Sequence, residues 1–284
     1  MKRIVSIQDL SCIGKCSQSI ALPVLSAMGI ECATLPTALL SAHTAFDHFV
    51  SRELTNGFAP ITAHWKSMGV HFDSIYTGYL GSEDQVALVQ RFFDDFGTED
   101  TLIFVDPVMA DHGKLYSGFT PTFPEKMKEL CRRADIITPN VTEACLLTHT
   151  PYSEFQSEAD IRALLEKLLQ LGPRTAIITG IRPDERHMCV ATMSADGNLS
   201  LHETDYYPAV FYGTGDLFAS TCVGALTLGI PAEKAIATAA DYVLETIRVT
   251  AADPEARWYG VNFEETLPYL MMLIGRLPKT EEAK

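Results

Sequence analysis

Thr101-Leu102-Ile103-Phe104-Val105-Asp106-Pro107 is the stretch on which the fold turns. Its apolar run is short, unbroken and closed by Asp-Pro, which reads as a strand buried on both faces. Two later stretches repeat the form. Ile136-Ile137-Thr138 runs into Pro139-Asn140, and Ala176-Ile177-Ile178-Thr179 runs into Gly180. Strands covered on both faces belong to parallel sheets, and parallel strands need helical crossovers.

The intervening segments supply those helices. Ser82 is placed to cap a helix whose apolar face is Val86, Val89, Phe93 and Phe96. Ser157 opens another, with Ile161, Leu164, Leu165 and Leu168 on one face and Gly172-Pro173 as its stop. At the amino end Arg3 to Ile7 reads as the first strand. Ser17 to Met28 reads as the helix after it, with Pro23 early in its course. Met188 to Met193 and Leu199 to Thr204 flank Asp196-Gly197-Asn198 as an antiparallel hairpin. Leu217 to Leu228 and Pro231 to about Thr250 read as helices. The fold class is therefore α/β: a doubly wound, mostly parallel sheet with helices on both faces. No repeat, linker or low-complexity tract divides residues 1–284, which read as one domain with a frayed tail from Arg276.

Composition narrows the function. Lys and Arg number 22 against 36 Asp and Glu, a net charge of −14. That argues against a nucleic-acid binder, which needs a basic face. No apolar run reaches the roughly 18 residues of a membrane span. The amino terminus lacks the pattern of a signal peptide, so a cytoplasmic protein is expected. The seven cysteines are scattered and odd in number, unlike a disulfide framework. The histidines show no zinc spacing.

In such a sheet, ligands bind beyond the carboxyl ends of the strands. The strongest signal is Gly213-Thr214-Gly215-Asp216, followed at once by an apolar helix. Glycines let backbone amides approach an anion, and a helix start directs unpaired N–H groups at it. That is an anion hole suited to a transferring phosphoryl group, with Asp216 placed to take a proton from an attacking hydroxyl. The plainer alternative is a Gly-rich turn with Asp216 capping a helix. A P-loop is excluded, because Gly-x-x-x-x-Gly-Lys-Ser/Thr is absent. A dinucleotide fingerprint is disfavoured by Phe218 at the third glycine position.

A second group is Asp106, Asn140 and Glu143, hard oxygen donors that suit Mg²⁺ directly or through water. Asn140 and Glu143 also fit a helix cap. A third comprises Asp9, Ser41-Ala42-His43-Thr44 and Thr77-Gly78-Tyr79. Taken alone these are polar residues after strands.

Ser6-Ile7-Gln8, Ser41-x-His43-Thr44, Thr77-Gly78-Tyr79, Asp106-Pro107-Val108, Thr138-Pro139-Asn140-x-x-Glu143 and Gly213-Thr214-Gly215-Asp216 stand in the order found in pyridoxal kinases. Over residues 3 to 250 the chain resembles that branch of the ribokinase-like superfamily. The resemblance implies an ATP-dependent kinase for the 5′-hydroxymethyl group of pyridoxal, pyridoxamine or pyridoxine. It implies Asp216 as the base and Gly213, Thr214 and Gly215 as the anion hole. Asp9, His43, Thr44 and Tyr79 would bind the vitamer. Asp106, Tyr116, Thr138, Asn140, Glu143, Thr179 and Phe211 would bind ATP, with Asp106, Asn140 and Glu143 managing Mg²⁺. Tyr116 falls in the stretch Asp111 to Thr120, where the family keeps a lid. A monovalent cation such as K⁺ and a homodimer are further implications. Asp9 stands where the family often has Ser, and a carboxylate there resembles the sugar and hydroxymethylpyrimidine kinases of the superfamily. The stretch Ala110 to Tyr116 is shorter than in mammalian members. A hydroxymethylpyrimidine kinase is the alternative enzyme. A non-catalytic vitamin- or nucleotide-binding module is the alternative outside enzymes.

Overall fold

The short apolar runs pair side by side as parallel strands. A computed structural model describes residues 1–277. Along the chain come β1 (Arg3–Ser11), α1 (Gln18–Ala27), β2 (Glu31–Leu40), β3 (Ser51–Glu53), α2 (Thr55–Ser67), β4 (Ser74–Thr77), α3 (Glu83–Phe96) and β5 (Leu102–Val105). A small hairpin follows, β6 (Ala110–Asp111) with β7 (Lys114–Leu115), then α4 (Phe123–Cys131), β8 (Ile136–Ile137), α5 (Val141–Thr148) and α6 (Glu158–Leu169). The last third holds β9 (Thr175–Ile181), β10 (His187–Ser194), β11 (Leu199–Asp205), α7 (Thr214–Thr227), α8 (Ala232–Ala252) and α9 (Phe263–Leu273).

The main sheet has nine strands in the order β11-β10-β9-β8-β5-β4-β1-β2-β3. From β9 to β2 every pairing is parallel, and the antiparallel β10–β11 hairpin and β3 close the two edges. Alternation along the strands divides the core. On β4 and β5, Ile75 and Val105 pack with the helices α2 to α6, while Tyr76 and Phe104 face α1, α7, α8 and α9. Side chains buried this completely contribute about 1.5–3 kcal/mol each.

Several details depart from expectation. Ser82 stands at the N-cap of α3, but its hydroxyl makes no capping bond. Gln85 takes over, its Oε1 accepting the Gly81 N–H at 2.7 Å. Pro23 lies inside α1, beyond the first turn. β9 runs past Gly180, because one extra residue against β10 forms a bulge at Thr179-Gly180. The Ser157 cap and its apolar face are as read, with Asp160 completing a capping box. Of the tail, Arg276 and Leu277 are held by backbone bonds to the Met271 carbonyl at 2.8 and 3.1 Å. The rest of the expected frayed segment lies outside the described residues.

Candidate active site

The carboxyl ends of β1, β4, β5, β8 and β9 converge on the amino end of α7. Gly213 is the N-cap there, with φ +86°. A Cβ at Gly213 would lie 2.1 Å from the Lys15 carbonyl oxygen, so no side chain fits. Leu217 is the first residue to return a helical bond, to the Gly213 carbonyl at 2.9 Å. The amides of Thr214, Gly215 and Asp216 therefore have no carbonyl partner within the helix. No side chain caps this end, and a Cβ at Gly215 would meet nothing within 4 Å. Thr214 spends its hydroxyl on the Phe211 carbonyl at 3.2 Å, which fixes the approach to the turn.

Asp216 sits in that first turn. Burial pushes its carboxyl up to about 7; a backbone N–H from Ser17 pulls it down, and the charge of Asp9 adds to the rise. Asp9, near the end of β1, is itself buried. Ser11 donates to its Oδ2 at 3.1 Å, and the nearby Ser17 hydroxyl also favours its charged form. Burial raises the Asp9 carboxyl all the same. Ser17 in the Gly14–Ser17 loop thus lowers both acids, Asp216 with its amide and Asp9 with its hydroxyl, against the effect of burial. Ser17 has a positive φ of +48°. Sequence reasoning missed Ser17, because its part is played by backbone geometry.

Asp106 follows β5 and is 7% exposed. Burial drives it well above the usual carboxylate range, and the charges of Glu143 and Asp216 push the same way. Glu143 is differently served. Its Oε1 accepts N–H groups from Met109 at 2.9 Å and Ala110 at 3.4 Å, and its Oε2 accepts from Asn140 at 2.9 Å. Asn140 returns the bond through Oδ1 to the Glu143 N–H at 2.9 Å and donates through Nδ2 to the Ala110 carbonyl at 2.8 Å. This capping box closes the start of α5 and anchors the β6–β7 hairpin. Burial still raises Glu143 to about 8, against those amide bonds.

Tyr116, just after that hairpin, is 39% exposed as a residue, and its phenol is raised first by desolvation and then by the charges of Glu143, Asp111, Asp216 and Asp106. Thr138 is buried beside Asp106, and Thr179 bonds through its N–H to the Pro139 carbonyl at 3.0 Å. Among the described residues no cluster of three His, Cys, Asp or Glu is arranged to hold a metal. The donor set nevertheless fits Mg²⁺, which prefers one or two carboxylates plus phosphate oxygens and water. Asp106 is the carboxylate with room for it. Both Glu143 oxygens are taken by amides, which leaves contact through water.

A family model described as phosphomethylpyrimidine kinase matches residues 22–260. The chain belongs to the phosphomethylpyrimidine kinase family. Among solved structures, this kinase is similar to a Bacteroides thetaiotaomicron protein assigned provisionally as a phosphomethylpyrimidine kinase and crystallised with pyridoxal. The two share 36% identity and a TM-score of 0.91, over 95% of this chain and 96% of the other. The kinase is also similar to pyridoxal kinase of Lactobacillus plantarum, with 31% identity and a TM-score of 0.88, over 96% and 98% of the two chains. Pyridoxal kinase of Sus scrofa is 29% identical, over 77% of this chain and 73% of its own. The ribokinase-like architecture read from the sequence is thus the fold of the kinase. No helix among the described residues is long and apolar enough to cross a membrane.

Of the other predicted residues of the kinase, Asp9, His43, Thr44 and Tyr79 lie towards the β1–β2 side of the site. Tyr79 is part-buried after β4, and burial, then Asp9 and Glu53, raises its phenol to about 12. His43 is buried, with both ring nitrogens engaged: Nδ1 accepts the Ala45 N–H at 3.1 Å, and Nε2 meets the Tyr259 carbonyl at 3.0 Å. It has a ring face or edge to offer, and no free nitrogen. Thr44 is exposed at the loop surface. Phe211 is part-buried and packs against the core formed by α7 and α8.

Proposed function

We propose that this kinase transfers the γ-phosphoryl group of ATP to the 5′-hydroxymethyl group of pyridoxal, pyridoxamine or pyridoxine. One observation carries the reading: the uncapped amino end of α7, with Asp216 in its first turn and raised to about 7. Asp216 accepts the proton of the acceptor hydroxyl as its oxygen attacks phosphorus and the bond to the β-phosphate oxygen breaks, releasing ADP. The amides of Gly213, Thr214 and Gly215 face the charge that develops on the phosphoryl oxygens. Asp106, with Glu143 through water, would hold Mg²⁺, which supplies positive charge against the phosphates of ATP when bound. A chain of net charge −14 needs that local neutralisation. Asp9, His43 and Tyr79 border the acceptor on the β1–β2 side, while Tyr116, Thr138, Asn140 and Thr179 border ATP on the β8–β9 side.

The relative crystallised with pyridoxal supports the acceptor, and the relatives named pyridoxal kinase support the reaction. A second reading, hydroxymethylpyrimidine as acceptor, is favoured by the family description and by a carboxylate at Asp9. A homodimer in the cytoplasm completes the proposal. Initial rates with ATP and Mg²⁺ against pyridoxal, pyridoxamine, pyridoxine and hydroxymethylpyrimidine test it. The proposal expects the B6 vitamers to have the highest kcat/KM, and a clear preference for hydroxymethylpyrimidine would overturn it.

A further inference from the structure

Five rings from three distant segments meet beside the β1–β2 end of the site. The Trp258 ring centroid lies 4.5 Å from Phe46, 5.9 Å from Tyr259, 6.0 Å from His43 and 6.1 Å from Tyr212. His43 in turn lies 5.1 Å from Tyr212, the residue just before the Gly213 N-cap. These rings are fixed by the backbone. The Tyr259 carbonyl lies 3.0 Å from His43 Nε2 and accepts the Lys15 N–H at 3.2 Å, and Ile13 accepts the His43 N–H at 3.0 Å. Gly14 lies so close to the His43 ring that a Cβ there would stand 2.1 Å from Cδ2. The loop after α8 is therefore strapped to the same Gly14–Ser17 turn whose Ser17 acts on Asp9 and Asp216.

Within this rigid group Trp258 remains 57% exposed. The His43 nitrogens are spent on backbone bonds, so the group offers chiefly flat ring surface. Sheet order decides which ligand it suits. Asn140 follows β8 and Thr179 lies in the second half of β9, whereas Asp9 and His43 belong to β1 and the loop after β2, three to five strands away in the order β9-β8-β5-β4-β1-β2. Trp258 stands with the second set.

We infer that Trp258 is a specificity-determining residue whose indole covers the aromatic ring of the acceptor. The inference rests on the functional reading above and extends it to the loop between α8 and α9. A heteroaromatic ring bearing a hydroxymethyl arm, with the arm at Asp216, matches apolar flat surface on one flank and carboxylates on the other. Stacking of this kind favours offset or edge contacts of the sort already present in the group.

The chain has two tryptophans, so Trp65→Phe leaves Trp258 as the sole reporter. In that variant, saturating pyridoxal should shield the indole from acrylamide quenching. Trp258→Ala should raise the KM for pyridoxal about five- to tenfold, equivalent to about 1.0–1.4 kcal/mol, with the KM for ATP within twofold of wild type. Trp258→Phe should recover most of the loss. A wild type that phosphorylates pyridoxal normally, with unshielded Trp258 and an unmoved KM in Trp258→Ala, overturns this inference alone. A wild type that phosphorylates no B6 vitamer overturns the functional reading and this inference with it.

Discussion

Two helix starts face each other across the site, and they are built in opposite ways. At α5 the polar side chains are consumed: Asn140 and Glu143 bond each other's backbone, and Glu143 also ties down Met109 and Ala110. At α7 no side chain caps the helix, the N-cap is a glycine, and an acid stands in the first turn with its carboxyl raised to about 7. Both starts read from sequence as polar residues before an apolar helix. The difference shows that satisfaction separates a joint from a reactive centre. A closed start holds the fold, whereas an open one has hydrogen-bonding capacity left for a ligand.

Substitution at the open end should alter chemistry and leave stability alone. Asp216→Asn keeps the shape and removes the base, and kcat should fall about 10²–10⁴-fold. Its melting temperature should hold or rise, since a buried charge is removed. In the wild type kcat should climb as pH rises through about 7, where Asp216 loses its proton, and level off above it. A variant within a few-fold of wild type, or a rate indifferent to pH near 7, would remove Asp216 as the base.

The closed end should behave in the opposite way. Glu143→Gln replaces one accepting oxygen with an NH2 group that faces backbone N–H donors, a cost of about 1–2 kcal/mol, or a fall of roughly 2–6 °C in Tm. The Mg²⁺ concentration for half-maximal rate should rise as well if Glu143 orders metal-bound water. A lower Tm with an unchanged Mg²⁺ requirement would make Glu143 purely a joint, and the comparison would become sharper. An unchanged Tm would break it.

The smallest effect is expected at Asp9, which lies between the two types: buried and bonded to Ser11, yet close to Asp216. If its charge meets the acceptor, it favours the aminomethyl group of pyridoxamine over the aldehyde of pyridoxal. Asp9→Ser should then lower the pyridoxamine-to-pyridoxal ratio of kcat/KM about fivefold. A lower Tm with the ratio intact would assign Asp9 to the Ser17 loop alone.

Local pattern gave much of this away. β5, β8 and β9 were legible because each apolar run stops at a polar residue or glycine. The Gly213–Asp216 turn was legible because glycines before an apolar helix are an unusual way to start one. β2 was obscured by Pro36, which a central strand would not accept. In the fold β3 pairs only with Ala38 to Leu40, so Pro36 lies where β2 has no neighbour on that side. The capping role of Asn140 and Glu143 was one of two readings, and nothing local could show that both Glu143 oxygens face amides. Ser17 and Trp258 were invisible for a different reason. One contributes through an unusual φ, and the other through a loop more than 200 residues from the ring it touches.

The raised acid at α7 also links folding to proton uptake. Asp216 moves from an ordinary value near 3.8 to about 7 on folding, so between those values the native state binds more protons than the unfolded chain. Its stabilising contribution is complete below about pH 4 and is lost as pH rises through about 7. Asp106 and Glu143 shift in the same direction. The part-exposed Asp73 and the exposed Glu125 shift the other way, but solvent screens them. The unliganded protein should therefore melt at a lower temperature at about pH 8 than at about pH 6, the reverse of the trend in its rate. Alkaline conditions that ready the base also loosen the fold around it.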